Sequence, residues 1–153
     1  KVTGVVTEVE PITARLVRAM RRIHLDRDLA IEASVPAGAK FRGEQQDFEE
    51  MVGNLVDNAC KWARTEVALT CSIETGVSDE HWLVLRVDDD GPGLSEDQMA
   101  EATRRGRRLD ESKPGSGLGL SIVSDLAAIY GGSFTMRRSA LGGLSAELRL
   151  PAA

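Results

Sequence analysis

Apolar residues recur along this chain in two rhythms, one of three and four positions and one of two, and each change of rhythm marks an element. The first ten residues set Val2, Val6 and Val9 among polar neighbours, as a short strand or an extended lead-in would. From Pro11, well suited to a helix's first turn, Ile12, Leu16, Val17, Met20 and Ile23 form a helical stripe. Leu29, Ile31 and Ala33 then alternate as a strand, Pro36 to Gly38 turn the chain, and Lys40 and Phe41 begin a short return strand. The cleanest helix is predicted over 46–63, where Phe48, Met51, Val52, Leu55, Val56, Ala59, Cys60 and Ala63 fall on one face. Segments 67–73 and 82–87 read as two strands of a hairpin around a polar turn at 75–80.

A long break follows over 91–119, rich in Gly, Ser and charge, in which only 94–102 has a helical pattern. Loops of that length inside a compact domain are usually functional or mobile. Leu118, Ile122, Val123, Leu126, Ala127 and Tyr130 then line one face of a helix that Gly131 and Gly132 stop. Phe134 and Met136 alternate, residues 141–143 turn, and Leu144, Ala146, Leu148 and Leu150 alternate back as a closing hairpin. Helices interleaved with hairpins predict an α/β (α+β) two-layer sandwich: a mixed, mostly antiparallel sheet of about five strands on three helices.

Composition narrows the classes without choosing among them. A chain of 153 residues with 42% hydrophobic and 28% charged residues suits one folded domain, here 1–153, and excludes global disorder. The net charge of −5 removes the general positive field on which non-specific nucleic-acid binders rely, so any anion site must be local. No apolar run is long enough for a membrane span and no signal-peptide pattern opens the chain, which reads as a soluble piece. Its first residue is Lys1 rather than Met, which suggests a fragment of something longer. Cys60 and Cys71 lack disulfide or CxxC metal spacing and are expected as reduced core thiols.

Three constellations carry chemistry. On the long helix, Glu50, Asn54, Asn58 and Lys61 share a sector of ~80° opposite the apolar stripe. Asparagine prefers caps and turns, so two of them within a helix suggest a use: an amide oxygen suits a hard cation such as Mg²⁺, and a lysine meets phosphate. Taken alone, the same pattern is also what a solvated helix face looks like. Second, Asp88, Asp89 and Asp90 precede Gly91, Pro92 and Gly93 at the end of a predicted strand. An Asp-Gly-Pro-Gly run is a good surface turn, but adjacent carboxylates are costly unless donors or a cation satisfy them. A carboxylate there could accept from an exocyclic amine, while glycines admit a flat ligand to the backbone.

Third, Gly115, Ser116, Gly117, Leu118 and Gly119 run into a helix, whose N-terminal N–H groups and dipole favour anions. The string fits neither a dinucleotide fingerprint nor a GxxxxGK[ST] loop. Arg104, Arg105, Arg107, Arg108 and Lys113 concentrate positive charge beside it, Arg108 and Lys113 flanking the glycines most closely. With no interleaved aromatics and an acidic chain, polyphosphate is a better partner for them than nucleic acid.

In order, NLVDNACK at 54–61, DDGPG at 89–93 and GSGLG at 115–119 resemble the N, G1 and G2 boxes of the GHKL superfamily. Within it the chain resembles the catalytic ATP-binding domain of bacterial sensor histidine kinases, and GEQQDFEEMVGNLVDNACKWA and KPGSGLGLSIV look like the PhoQ-type branch. The resemblance implies a Bergerat fold that binds Mg²⁺·ATP. Asp89 would take the adenine amino group, and Gly91 and Gly93 would lie beside the base. Asn54 and Asn58 would hold Mg²⁺ and the phosphates, Lys61 would reach the phosphates, and Trp62 would stand where the family often has tyrosine. Residues 91–119 would be the ATP lid, with Arg108 and Lys113 as phosphate contacts and Gly115, Ser116, Gly117, Leu118 and Gly119 at the nucleotide. Ser116 stands where that branch tends to have glutamine, and the lid lacks the usual phenylalanine.

The implied function is donation of the γ-phosphoryl group to a histidine in two-component signalling. His24, with no Glu-x-x-x-Pro context after it, and His81, at the opening of a strand, look like ordinary surface residues, so the acceptor is expected on a separate dimerisation domain absent from this chain. The fragment is expected to be a monomer. Its parent is expected to be a homodimeric inner-membrane sensor with this domain in the cytoplasm and a response regulator downstream. Two alternatives stand beside this: a non-catalytic nucleotide-binding regulatory module, and a GHKL ATPase. The ATPases have a water-activating glutamate where Asn54 stands, with Glu50 one turn away as the nearest substitute.

Overall fold

The computed structural model describes residues 4–104 and 118–153. In chain order come β1 (Thr7–Glu8), α1 (Val9–Ile23), a 3-10 turn (Leu25–Arg27), β2 (Ala30–Ser34), β3 (Lys40–Phe41) and α2 (Gln45–Trp62). They are followed by β4 (Glu66–Thr75), β5 (His81–Asp89), α3 (Glu96–Ala102), α4 (Leu118–Ile129), β6 (Ser133–Arg138) and β7 (Leu144–Pro151). The main sheet has five strands in the order β2-β4-β5-β7-β6. β2 runs parallel to β4 and every other pairing is antiparallel, as the mixed, mostly antiparallel sandwich requires.

Helices α1, α2 and α4 lie against one face of this sheet, and α3 packs on α4. The helical stripe of α2 is why: Phe48, Met51, Val52, Leu55, Val56, Ala59 and Cys60 are all buried. Each large side chain removed from water there contributes about 1.5–3 kcal/mol, which makes α2 the spine of the core. The opposite sheet face is polar. It carries the Arg86–Glu147 pair at 3.0 Å and the Arg149–Glu74 pair at 2.8 Å, with the Arg149 guanidinium 4.9 Å above the Trp82 ring.

Short-range features follow the chain pattern closely. Helix α1 starts at Val9, so Pro11 sits inside its first turn, where a missing N–H costs nothing. α3 is only seven residues long, yet a capping box starts it: Ser95 Oγ accepts from Gln98 N, and the Gln98 side chain accepts from Ser95 N. The return strand at Lys40 and Phe41 differs from expectation in its partner. It pairs antiparallel with β1 in a separate two-stranded sheet, held there by Val9 N on Ala39 O at 3.0 Å and by Arg42 N on Pro151 O at 2.9 Å. Cys60 and Cys71 are free thiols, and burial pushes them up to about 12 and about 11 respectively. Among the described residues no helix is long and apolar enough to cross a membrane.

Candidate functional site

The site begins with strand periodicity. Leu83, Leu85 and Val87 alternate onto the core face of β5, and Asp89 is the next residue in that series. A carboxylate is thereby carried to the helix-facing side, where it is 2% exposed. Its neighbours face the other way. Asp88 accepts from Ser139 Oγ at 2.8 Å, while Asp90 accepts from the backbone of Arg64, Thr65 and Glu66 and from Thr65 Oγ1. The adjacent acids are therefore satisfied by separate donors rather than by a shared cation.

Asp89 Oδ1 accepts from Gly91 N at 2.9 Å and from Leu144 N at 3.3 Å. Among the described residues nothing donates to Oδ2. Burial raises the Asp89 carboxyl above its ordinary range; the two backbone donors pull it down, and Asp90 and Asp88 push it further up. Asp90 differs: burial alone would raise it, but the hydrogen bonds from Thr65, Glu66 and Arg64 outweigh that and hold it at about 2.

Asp89 lies in a cleft whose other walls are Asn58 and Trp62 of α2, Pro92, Gly93 and Leu94 after β5, Leu120 of α4 and Leu144 of β7. The lining is mostly apolar, with one buried carboxylate and one amide. Such a cleft suits a flat heteroaromatic group that can donate a hydrogen bond from an exocyclic amine.

Glycines let the walls close. A β-carbon on Gly91 would stand 2.3 Å from Trp62 O, and one on Gly143 would stand 2.2 Å from Asp89 Oδ1. Gly143 N also donates to Asp89 O at 3.0 Å, so the β6–β7 turn props the strand end from below. Gly119 makes a third close approach, since its β-carbon would meet Asn54 Oδ1 at 2.8 Å. The glycine string thus serves helix packing at that position: α4 starts close against the amide face of α2.

The structure brings Asn58, Trp62, Asp89 and Gly93 to one cleft, with Gly91 beside them. Asn54 sits at its α4 edge and donates Nδ2 to Glu50 O at 2.7 Å. Lys61 does not line the cleft; it lies one residue from Trp62 and pairs with Asp57 at 3.1 Å. Leu118 is the first residue of α4. Arg108, Lys113, Gly115, Ser116 and Gly117 lie outside the described residues. His24 caps α1 and His81 opens β5, and neither borders the cleft.

Leu94, Leu120 and Leu144 were not among the candidate residues, nor was Gly143 as the support of Asp89. Leucines carry no chemical signature in a sequence. The paired glycines at 142–143 were legible as a turn, but not as a turn that reaches the end of β5.

Residues 43–153 match the family model described as histidine kinase-, DNA gyrase B-, and HSP90-like ATPase. The sensor protein kinase CarS of Pseudomonas aeruginosa is 45% identical over 123 residues, which cover 80% of this chain and 26% of that protein. The virulence sensor histidine kinase PhoQ of Salmonella typhimurium is 33% identical over 140 residues, 92% of this chain and 28% of that one. The chain thus spans about a quarter of the length of these curated relatives. Among solved structures, a mycobacterial sensor histidine kinase, MprB, is similar with a TM-score of 0.80 at 25% identity over 97% of each chain. Full-length ShkA in complex with AMPPNP is similar with a TM-score of 0.71 at 25% identity, covering 99% of this chain and 32% of that one.

Proposed function

The chain belongs to the family of histidine kinase-, DNA gyrase B- and HSP90-like ATPases, and on that footing we propose that it is the phosphodonor half of a sensor histidine kinase. The observation that carries this reading is Asp89: a buried carboxylate whose Oδ1 is occupied by backbone donors, in a mostly apolar cleft. Oδ2 accepts the adenine amino group, Trp62, Gly91 and Gly93 flank the base, and Leu120 and Leu144 exclude water from it. ShkA, a similar protein solved in complex with AMPPNP, supports a nucleotide as the ligand.

Asn54 and Asn58 face the phosphate end, and their neutral amide oxygens fit Mg²⁺, which keeps several waters and takes few protein ligands beside substrate phosphates. Among the described residues no group of three or more His, Cys, Asp or Glu offers a competing metal site. Bound there, Mg²⁺ would offset phosphate charge. Lys61 supplies a protein cation, and Arg108, Lys113 and residues 115–119 complete the lid over 91–119.

Phosphoryl transfer demands mainly positioning and charge stabilisation from the protein. The bond from the γ-phosphorus to the β–γ bridging oxygen breaks, a bond to an imidazole nitrogen forms, and ADP leaves. That imidazole sits on a separate dimerisation domain of a homodimeric parent, an inner-membrane sensor with this domain in the cytoplasm, from which a response regulator then takes the phosphoryl group.

Calorimetry with Mg²⁺ and ATP on the wild type and on Asp89→Asn tests the binding half, and equal affinity for both would sink the adenine assignment. Mixing the chain with its dimerisation hairpin and γ-labelled ATP tests the transfer half. Label on histidine supports the kinase; binding without transfer supports a regulatory module.

A further inference from the structure

A helix end leaves carbonyls without partners, and the end of α2 is where Lys61 and Trp62 sit. Ala63 N still closes on Ala59 O at 2.8 Å. The next N–H groups, of Arg64 and Thr65, turn away to Asp90 Oδ1 at 2.8 and 3.0 Å. Cys60 O therefore has no helical donor, and Ala63 O lies beyond the ladder. Arg27 reaches both: Nη1 donates to Cys60 O at 2.6 Å and Nη2 to Ala63 O at 2.8 Å. One planar guanidinium thus brackets Lys61 and Trp62 and places positive charge at the negative end of the helix.

The chain before β2 is shaped to deliver that side chain. Arg27 closes the 3-10 turn with its N–H on His24 O at 3.0 Å, its Nη1 lies 3.2 Å from His24 Nδ1, and Asp28 follows in the left-handed region at φ 58°. Ala30 N then bonds Thr65 O at 2.8 Å, which locks this turn beside the end of α2. Trp62 O is meanwhile closed in by Gly91.

We infer that Arg27 is a positioning residue for nucleotide binding: its bidentate clamp on Cys60 O and Ala63 O sets Trp62 as a cleft wall and aims Lys61. This rests on the nucleotide reading of the cleft given above. Arg27 touches no cleft-lining side chain in its hydrogen bonds, so it acts through the backbone of α2. The body of that helix is anchored independently by its buried face, so loss of the clamp loosens the last turn and leaves the fold.

The test compares the wild type, Arg27→Ala, Arg27→Gln and Arg27→Lys in a Trp82→Phe background, so that Trp62 is the only tryptophan. Calorimetry with Mg²⁺ and ATP is expected to show affinity about tenfold weaker for Arg27→Ala, on the scale of losing hydrogen bonds from a charged donor, with partial recovery in Arg27→Lys. Trp62 emission without nucleotide should shift to the red in Arg27→Ala while far-ultraviolet dichroism stays native, a change a residue that merely supports stability would not cause. If Arg27→Ala does not fold, Arg27→Gln, which keeps a single amide donor, carries the same expectation. Wild-type affinity and emission in a folded Arg27→Ala or Arg27→Gln overturn the clamp. Absence of nucleotide binding by the wild type overturns the reading of the cleft and the clamp's function with it, whereas intact wild-type binding beside an unaffected variant overturns the clamp alone.

Discussion

At the Asp89 end of the cleft the recognising atom is fixed by main chain: Gly91 N and Leu144 N hold Oδ1, and Gly143 N holds the carbonyl of the same residue. At the α2 end, Asn54, Asn58 and Lys61 are half-exposed side chains, and Asn54 and Lys61 make contacts with their own helix, at Glu50 O and Asp57. The difference shows how one cleft can combine stiffness with adaptability. A buried carboxylate surrounded by backbone can reject a group that offers no donor, because the unpaired oxygen would be costly. Exposed amides and an ammonium can follow a charged, hydrated ligand as it changes.

If that contrast is right, the largest effect belongs to Gly143→Ala. The new β-carbon would meet Asp89 Oδ1 at 2.2 Å and Asp89 O at 2.6 Å, and neither can move without disturbing β5. Nucleotide binding should be lost in calorimetry, and thermal unfolding should report destabilisation of about 1–3 kcal/mol. Asp89→Asn comes next. The amide can still accept on one oxygen, but it turns a donor toward the cleft, so affinity should fall by about ten- to a hundredfold.

Gly119→Ala makes a milder clash, since the β-carbon would lie 2.8 Å from the movable end of the half-exposed Asn54. It should cost about 1 kcal/mol or less, and in an Asn54→Ala background that cost should vanish, as a double-mutant cycle would reveal. An effect as large as that of Gly143→Ala would break the contrast. Lys61→Ala should change stability by no more than about 0.5 kcal/mol in chemical denaturation, because its pair with Asp57 is a single helical turn at the surface. Its nucleotide affinity should nonetheless drop, with a shallower dependence on salt than the wild type.

The smallest effect is in pH, where the neighbouring acids have opposite signs. Asp90 is held at about 2, below the ordinary carboxyl value of about 3.9, so its contribution to stability is full above that value and lost as pH falls toward about 2. Asp89 is raised, so the folded state holds its proton more tightly than the unfolded chain and ionisation subtracts stability as pH rises. Nucleotide affinity should therefore weaken on acidification before ordinary carboxylates titrate. Calorimetric titrations from neutral to mildly acidic pH measure this, and Asp90→Asn, which removes one of the like charges that push Asp89 up, should move the midpoint to lower pH.

Much of the fold was legible because periodicity is local. The stripe of α2, the alternation of β5 that ends on Asp89, and the glycine and asparagine motifs all follow from the spacing of side chains along one element. Spacing along the chain sets which residues face the core, where the chain turns, and which polar groups interrupt apolar elements without local need. Packing of distant segments settles that Lys40 and Phe41 pair with β1, that Leu144 donates to a carboxylate 55 residues away, and that Arg27 closes a helix end 33 and 36 residues distant. The physical reason is that a backbone N–H or carbonyl is the same group in every residue. Nothing in the side-chain pattern says which distant partner will satisfy it, so those bonds become readable only once the packed core has fixed the position of each segment.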